Sequence, residues 1–479
     1  MVVRKHLAYI FCSGVLVVGC ADYRGAANPY IYTPAQHFEN WKPRRVESRL
    51  AFGVEKEDYE YVEKDDPLTL AEVVDISLLN NPKTKVTWAN ARIAAGRYGY
   101  TNQDQFILAG GQGTATRFRQ ALFTGPMRSI VYSTLFSGDV NLSYLVFDFG
   151  KTLTTSKAAL ESLYNADWTH NREIQTVMQT VMIDYYNYLY QEEKLRASKA
   201  DVDDAQVTLN SVMEKLRTGM SDIGEKVQAT TQLLQNQLAV VSQKQQVHNA
   251  FTQLSADMGV PSDLNVKLEN FPDEITMFQP DDLNKLIDTA ISNRPDLIAA
   301  ESDVKAGQYL VSAAKRQYLP EVNTTFDIGR TYFSNASRND KYHFKAQAAL
   351  TFPIFQGFAI LNSVRMAQSE LDKAKAVLEQ VQLNLLQDVS NQREDVVLAG
   401  ESYEYSKAFL ASAEEDYKVN LAKYRAGTGT ITELINAQTS VSDARAKFAL
   451  AKRDWFVSLA NLAYALGTLA PPDYTKDPI

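Results

Sequence analysis

The feature that most constrains this chain is that its 479 residues contain one long-helix unit twice. Internal repeats decide an architecture before any single element does. A helical pattern beginning at Thr69-Leu70-Ala71-Glu72 meets Asn80-Asn81-Pro82, and a second, beginning at Asp282-Leu283, meets Ser292-Asn293-Arg294-Pro295, with the two prolines 213 residues apart. Leu142–Asp148 parallels Leu350–Gln356 at an offset of 208. At the same offset, Leu216-Arg217-Thr218-Gly219 parallels Tyr424-Arg425-Ala426-Gly427, and Val227-Gln228-Ala229 parallels Ile435-Asn436-Ala437. The change of offset falls between the prolines and the strand-like segments, so the first copy is expected to have the longer outer loop.

Each copy reads in the same order. A helical stretch (68–104 and 281–318) is followed by two strand-like segments, a very long helical stretch (152–218 and 359–425) and a medium one (221–258 and 430–467). In the second long stretch, apolar residues at Val364, Ala367, Leu371, Ala374, Leu378, Val381 and Leu385 alternate steps of three and four, which is a heptad seam. In the last stretch Leu434, Ala437, Val441, Ala444, Phe448, Ala451 and Trp455 alternate large with small, so neighbouring helices can approach closely. At 1.5 Å per residue, each long stretch is a rod of roughly 100 Å. The medium and short stretches stacked end to end would match it. Pro261, Pro272 and Pro280 make 259–280 an irregular equatorial linker between the repeats 68–258 and 281–467.

Val322, Thr324, Phe326 and Ile328 alternate with Asn323, Thr325, Asp327 and Gly329. Phe344, Ala346, Ala348 and Leu350 alternate with Lys345, Gln347, Ala349 and Thr351, and a polar loop, 334–340, lies between the two runs. Gln112–Arg119 and Gly138–Val146 are the counterparts in the first copy. Segments of about 10 residues suit tilted membrane strands, and Tyr332, Tyr342, Phe352 and Phe355 are placed for interfacial girdles. Four strands cannot close a barrel alone. Either they pack on soluble structure or several subunits share one barrel.

Composition narrows the function classes. Charged residues are 22% and apolar residues 45%, as in an ordinary folded protein. A net charge of −8 speaks against a nucleic-acid partner. No run reaches the roughly 18 apolar residues of a membrane helix, so any crossing must use strands. The two cysteines, Cys12 and Cys20, precede the body, and the five histidines show no HxxxH or HExxH spacing. No metal site, cofactor, phosphate loop or nucleophile–base motif is expected, and hence no enzyme.

The first residues read as an address. Arg4 and Lys5 precede an apolar stretch, Leu7–Val18, that ends at Gly19-Cys20. This is the plan of an export signal. Val17-Val18-Gly19 before the cysteine is similar to a lipoprotein box, which implies removal of 1–19 and a covalent lipid on Cys20. Residues 20–67 carry Pro29, Pro34, Pro43 and Pro67 without apolar periodicity and are expected to form an extended arm on the body. Residues 468–479 are a tail.

Together these residues resemble the TolC family of outer-membrane efflux ducts, in its lipoprotein branch. The resemblance rests on the order of elements, Asn293-Arg294-Pro295, Leu350-Thr351-Phe352-Pro353-Ile354-Phe355-Gln356-Gly357, Tyr424-Arg425-Ala426-Gly427-Thr428-Gly429-Thr430 and the closing Ala465-Leu466-Gly467-Thr468-Leu469. It covers essentially the whole mature chain. It implies a mainly α fold with a β-barrel contribution. A homotrimer would pool its strands into one 12-stranded barrel in the outer membrane and continue it as a periplasmic α-barrel of helical rods. An inner-membrane transporter and a periplasmic adaptor (membrane fusion protein) would feed the lower end.

The same resemblance makes the turns at Gly219 and Gly427 the periplasmic tip, where the pore narrows and the adaptor docks, with Arg217 and Arg425 beside them. Tyr424 matches the family's tip tyrosine and Glu225 its acid, with Asp222 alongside. An arginine often found two residues after the second glycine is replaced by Gly429, leaving Arg425 or Arg217 as substitutes. A purely structural alternative is that Asp222–Glu225 and Thr430–Glu433 are capping boxes, the glycines C-caps, and Lys215, Arg217, Lys423 and Arg425 cations favoured at helix ends. The tyrosines at 185, 186, 188 and 190 read as inter-helix packing. Other functions carried are the same duct dedicated to protein or metal-ion export, and a soluble periplasmic coiled-coil adaptor or scaffold.

Overall fold

A computed structural model of the chain describes residues 28–34, 36–40, 67–124, 127–262, 266–272, 275–333 and 341–470. The signal 1–19, Cys20, most of the arm and the loop 334–340 lie outside the described residues. The first repeat comprises α1 (Leu70–Asn80), α2 (Pro82–Thr101), β1 (Leu108–Thr124), β2 (Met127–Phe147), α3 (Lys151–Arg217) and α4 (Ile223–Met258). The second comprises α5 (Leu283–Asn293), α6 (Pro295–Arg316), β3 (Glu321–Phe333), β4 (Lys341–Thr351), α7 (Ala359–Ala426) and α8 (Ile431–Ala465).

The stretches expected as single helices over 68–104 and 281–318 are each two helices. The residue before each proline is held extended, Asn81 at ψ 127° and Arg294 at ψ 117°, and the proline starts the next helix. Against each break lies the end of a medium helix. Gly259 (φ 72°) ends α4 and Gly467 (φ 71°) follows α8, both in the left-handed conformation that glycine adopts freely. A Cβ on Gly259 would lie 2.8 Å from the Asn80 carbonyl carbon, and one on Gly467 2.8 Å from the Asn293 oxygen. Asn81 Nδ2 donates to the Asp257 carbonyl over 2.7 Å, satisfying an orphan acceptor at the end of α4.

α2 thus sits over α4, and α6 over α8, as two spliced rods. In the upper half α2, α3, α6 and α7 pack in that order, and in the lower half α4, α3, α8 and α7 do. The chain is a wall of four rods, with α2/α4 at one edge and α7 at the other. The long helices have 67 and 68 residues, or roughly 100 Å. Each starts from a sharp turn of two successive left-handed residues, Phe149-Gly150 in one copy and Gly357-Phe358 in the other. Arg316 Nη1 donates to the Gly150 carbonyl over 2.7 Å and braces the first.

The strands form one antiparallel sheet in the order β1-β2-β3-β4. Asp139 and His343 share a face, as do Asn141 and Asp327, which bond across β2 and β3 over 2.5 Å. The opposite face carries Leu142, Val140, Phe326, Ile328 and Phe344. This is the alternation of a membrane strand with a polar lumen. The first hairpin corrects the sequence reading. What was expected to be a longer outer loop is strand, because β1 and β2 have 17 and 21 residues and only 125 and 126 separate them. Phe118, Ile130, Tyr132 and Thr134 favour the extended chain, and pairing holds from Leu108↔Ser143 to Thr124↔Met127.

The described part of the arm packs on α2. Trp88 Nε1 donates to the Pro34 carbonyl over 2.9 Å, and Arg92 lies 4.4 Å from the centre of the Tyr30 ring. The linker pins the start of the first repeat through a bridge between Leu68 and Leu268. The tyrosine cluster is packing: Tyr186 stacks on Phe456 and Phe271, and the Tyr185 hydroxyl donates to the Glu269 carbonyl.

Candidate functional site at the helical tip and along the strands

The tip is the end of the wall farthest from the sheet, where the turns α3–α4 and α7–α8 meet. Gly219 (φ 76°) and Gly427 (φ 79°) close the long helices, and a Cβ on either would meet nothing within 4 Å. The two turns then diverge. At the second, the Thr430 hydroxyl accepts from Glu433 N while Glu433 Oε2 accepts from Thr430 N, a complete capping box. At the first, Asp222 caps by accepting from Glu225 N over 2.9 Å, but Glu225 does not reach back. Its Oε2 instead accepts from the Ser221 hydroxyl (2.5 Å) and from the Tyr424 hydroxyl (2.9 Å). The box read from the sequence is therefore half a box, because the carboxylate has better donors across the hairpins.

Tyr424 is 1% exposed within the single chain and packs with Val212, Ile431 and Leu434 between the two hairpins. Burial and the adjacent Glu225 carboxylate push its hydroxyl up to about 12, so it stays a donor. The cation beside it is Lys215, whose Nζ lies 3.9 Å from the ring centre. Arg217 pairs with Glu214 over 2.9 Å, and Arg425 Nε donates to the Ser211 hydroxyl over 3.5 Å. Sequence reasoning placed Lys215 only as a helix-end cation. Its contact joins residues far apart in sequence and no local spacing signals it.

About 16 residues up α3 from the tip a second tie joins the hairpins. Arg445 on α8 bonds Asp201 (2.8 Å) and Asp204 (2.9 Å) on α3, and the Ser442 hydroxyl donates to Asp201 over 2.6 Å. Asn236 on α4 donates to the Asp201 carbonyl over 2.8 Å. Nearer the equator Arg294, 3% exposed, pairs with Asp296 (2.6 Å) and Asp388 (3.0 Å). Two acids there stand apart. Asp167 on α3 is fully buried with no hydrogen-bond partner for either oxygen, and burial pushes it up to about 9. Asp184 is pushed up to about 7 by burial and by sharing a hydrogen bond with Asp257.

On the polar face of the sheet, Asp139 on β2 reaches His343 on β4 over 3.0 Å. It crosses Gly329 on β3, where a Cβ would collide with the Asp139 carboxylate and come within 2.7 Å of the Gly138 carbonyl. No group of three metal-ligating side chains occurs among the described residues, and no helix among them is long and apolar enough to cross a membrane.

The sequence model of the family described as outer membrane efflux protein matches twice, over residues 78–260 and 286–468, once in each repeat. This chain belongs to that family. Among curated relatives, protein CyaE of Bordetella pertussis is 24% identical over 422 residues, covering 86% of this chain and 87% of that one. Outer membrane protein TolC of Escherichia coli is 23% identical over 364 residues, covering 72% and 71%. Among solved structures, the CmeC outer membrane channel of Campylobacter jejuni superposes with a TM-score of 0.75 at 18% identity, over 92% of this chain and 96% of that one. The fold is therefore that of the outer membrane efflux family's α-barrel and β-barrel channels. The family is one of channel proteins rather than enzymes.

Proposed function

We propose that the chain is the exit duct of a tripartite efflux assembly, a homotrimer that carries substrates from an inner-membrane transporter and periplasmic adaptor across the outer membrane. One observation carries this reading: the wall is unfinished at both edges in both of its layers. β1 and β4 are edge strands, each with one side unpaired in the single chain. In the helical layer, α4 exposes Ile223, Val227, Leu234, Leu238 and Val241 at heptad-like steps, and α7 exposes Leu398, Tyr405 and Val419. Apolar edges on a soluble rod are costly unless covered. A third of a ring supplies both edges at once. Pairing β4 of one subunit with β1 of the next, and α7 with the next α2/α4, closes 12 strands and 12 rods.

The Tyr424–Glu225 bond, with Asp222 and Lys215 beside it, is then a latch at the periplasmic mouth. The glycine turns 219 and 427, with Arg217 and Arg425, form the adaptor's landing. Cys20 carries the lipid that anchors the arm in the outer membrane. The polar face of the sheet lines the wet lumen, and the energy for transport comes from the pump. The pump also selects the cargo, whether small molecule, protein or metal ion.

Planar-bilayer recording on the detergent-purified trimer tests the duct. Discrete conductance steps are expected, and recovery of the chain as a soluble monomer without detergent would end the reading. Mass spectrometry of the mature N-terminus tests the anchor, with diacylated or triacylated Cys20 as the expected species.

A further inference from the structure

The duplication that builds the wall also specifies what its open edge must meet. The offsets of the repeat, 213 for the short helices and 208 for the long ones, hold in the packing. Gly307 on α6 lies against Leu371 on α7, and Ala94 on α2 packs on the cluster that holds Leu163 of α3. α2 on α3 and α6 on α7 are therefore one contact made twice. The contact between those pairs, α3 on α6, is made once within the chain. Its second version would join α7 of one subunit to α2 of the next, in the register that the first version supplies.

Asn165 on α3 donates to the Ala299 carbonyl on α6 over 2.9 Å, and Lys157 Nζ lies 5.8 Å from the centre of the Tyr309 ring. Adding 208 on the long helix and subtracting 213 on the short one turns these pairs into Lys373 with Val86 and Arg365 with Gly96. On α6 this side carries Ala299, Ser302, Ala306 and Ala313, all buried. Their counterparts on α2, Val86, Ala89, Ile93 and Tyr100, are all exposed in the single chain. With Gly96 they step by three and four, as a helix seam does. At the matching height of α7, Asn362, Arg365, Met366, Ser369 and Glu370 line an open depression of about 500 Å³.

The two versions exchange large for small. Where α6 has Tyr309, α2 has Gly96. Next to Lys157 the first copy has a buried alanine, Ala158, where the second has the exposed Met366. One turn nearer the sheet, α6 has Ala313 and α2 has Tyr100, level with Leu361 and Asn362 of α7. A Cβ on Gly96 would meet nothing within 4 Å, so no neighbour inside the subunit calls for glycine there. Glycine in a helix interior is nonetheless unfavourable. The wrong pairings fail on size: Tyr309 facing Met366 would overfill the seam, and Gly96 facing Ala158 would leave it slack.

We propose that Gly96 is the hole and Met366 the knob of the subunit seam. α2 of one subunit seats in the depression on α7 of the next, with Gly96 under Met366 and Tyr100 against Asn362. The exchange of sizes keeps α2 and α6 from trading places when subunits assemble. The inference rests on the trimer reading above and adds to it the residues by which one copy recognises another.

Gly96→Leu tests it on the detergent-purified chain, by light scattering and circular dichroism. Helix content should hold, since leucine favours a helix more than glycine does. The trimer should fall about tenfold at equal concentration, because the seam is overfilled. Met366→Ala in the same chain should restore it. A Gly96→Leu chain that assembles like the wild type overturns the proposal, as does a Met366→Ala that brings no rescue. If Gly96→Leu does not fold, cysteine pairs decide. Gly96→Cys/Met366→Cys, with diamide as the oxidant, should give disulfide-linked trimers on non-reducing gels, and Gly96→Cys/Ala158→Cys should give no linked oligomer. The opposite pattern, or no linkage from the first pair, overturns the proposal. Light scattering on the wild type separates the readings: a wild-type trimer that tolerates Gly96→Leu sinks this inference alone.

Discussion

The hydroxyl of Tyr424 at the end of α7 donates to Oε2 of Glu225 in the first turn of α4, 2.9 Å away, so the two hairpins of one chain are joined at their far ends. Tyr424→Phe keeps the ring, its packing and the Lys215 contact while deleting this bond. The loss is about 1–2 kcal/mol of hairpin coupling. Single-channel conductance should rise and Tm should fall only slightly. A conductance equal to the wild type would remove Tyr424 from the gate.

The pH dependence of the same bond follows from Tyr424, whose value is raised from 10.0 to about 12 by burial and by Glu225. A group raised in the folded state contributes its full stability below the unfolded value and loses it as pH rises through the folded value. Conductance governed by this tyrosine should thus be flat up to about pH 10 and rise between about 10 and 12. Tyr424→Phe should abolish that limb.

Asp167 gives the clearest stability test. Burial raises it from 3.8 to about 9, so wild-type stability falls as pH climbs through that window. Asp167→Asn should raise Tm, with a gain that grows from acid to alkaline pH. At neutral pH the gain is on the order of 3–4 kcal/mol, about 1.4 kcal/mol for each pH unit above the unfolded value at which the buried carboxyl is held protonated. A gain independent of pH would show that the carboxyl titrates normally.

Arg294 is 3% exposed and holds Asp296 and Asp388 together. Arg294→Met leaves Asp296 half-buried without its bidentate partner. Breaking such a pair costs about 3 kcal/mol or more. Calorimetry should show a lower Tm, and Asp296→Asn in the same chain should recover part of it.

Two glycines on either side of β2 should behave oppositely. Gly329→Ala drives a methyl into the Asp139 carboxylate and the Gly138 carbonyl, so the sheet should lose heat resistance on gels. Gly113→Ala adds a methyl to open space and should leave assembly unchanged.

Much of this molecule was legible because its elements are long and periodic. The seam Val364–Leu385 and the alternation Val322–Ile328 each repeat one step many times, and the duplication states them twice. The breaks at Asn81 and Arg294 were half visible. Proline marked the place, but whether a helix kinks or restarts there depends on Gly259 and Gly467 filling the gap from another helix. The length of the first hairpin was hidden because the stretch between Arg119 and Gly138 was read as outer loop, whereas pairing from Gln120↔Val131 to Thr124↔Met127 holds it extended. At the tip, sequence could name Tyr424 and Glu225, but not the contact of Lys215 with the Tyr424 ring or the Ser221 hydroxyl on Glu225. Those partners are chosen by how two hairpins lie together, and helical spacing carries no record of that.

The tie from Arg445 to Asp201 and Asp204 has a mechanical consequence. Below Asp201, α3 runs 16 more residues to Arg217, a free arm of roughly 24 Å at 1.5 Å per residue. If the tie acts as a fulcrum, a tilt of about 10° there sweeps the tip through roughly 4 Å, enough to part Tyr424 from Glu225 entirely. In the proposed latch, such levers would be pivoted well above the mouth, so the upper tunnel and the sheet would not need to move for it to open.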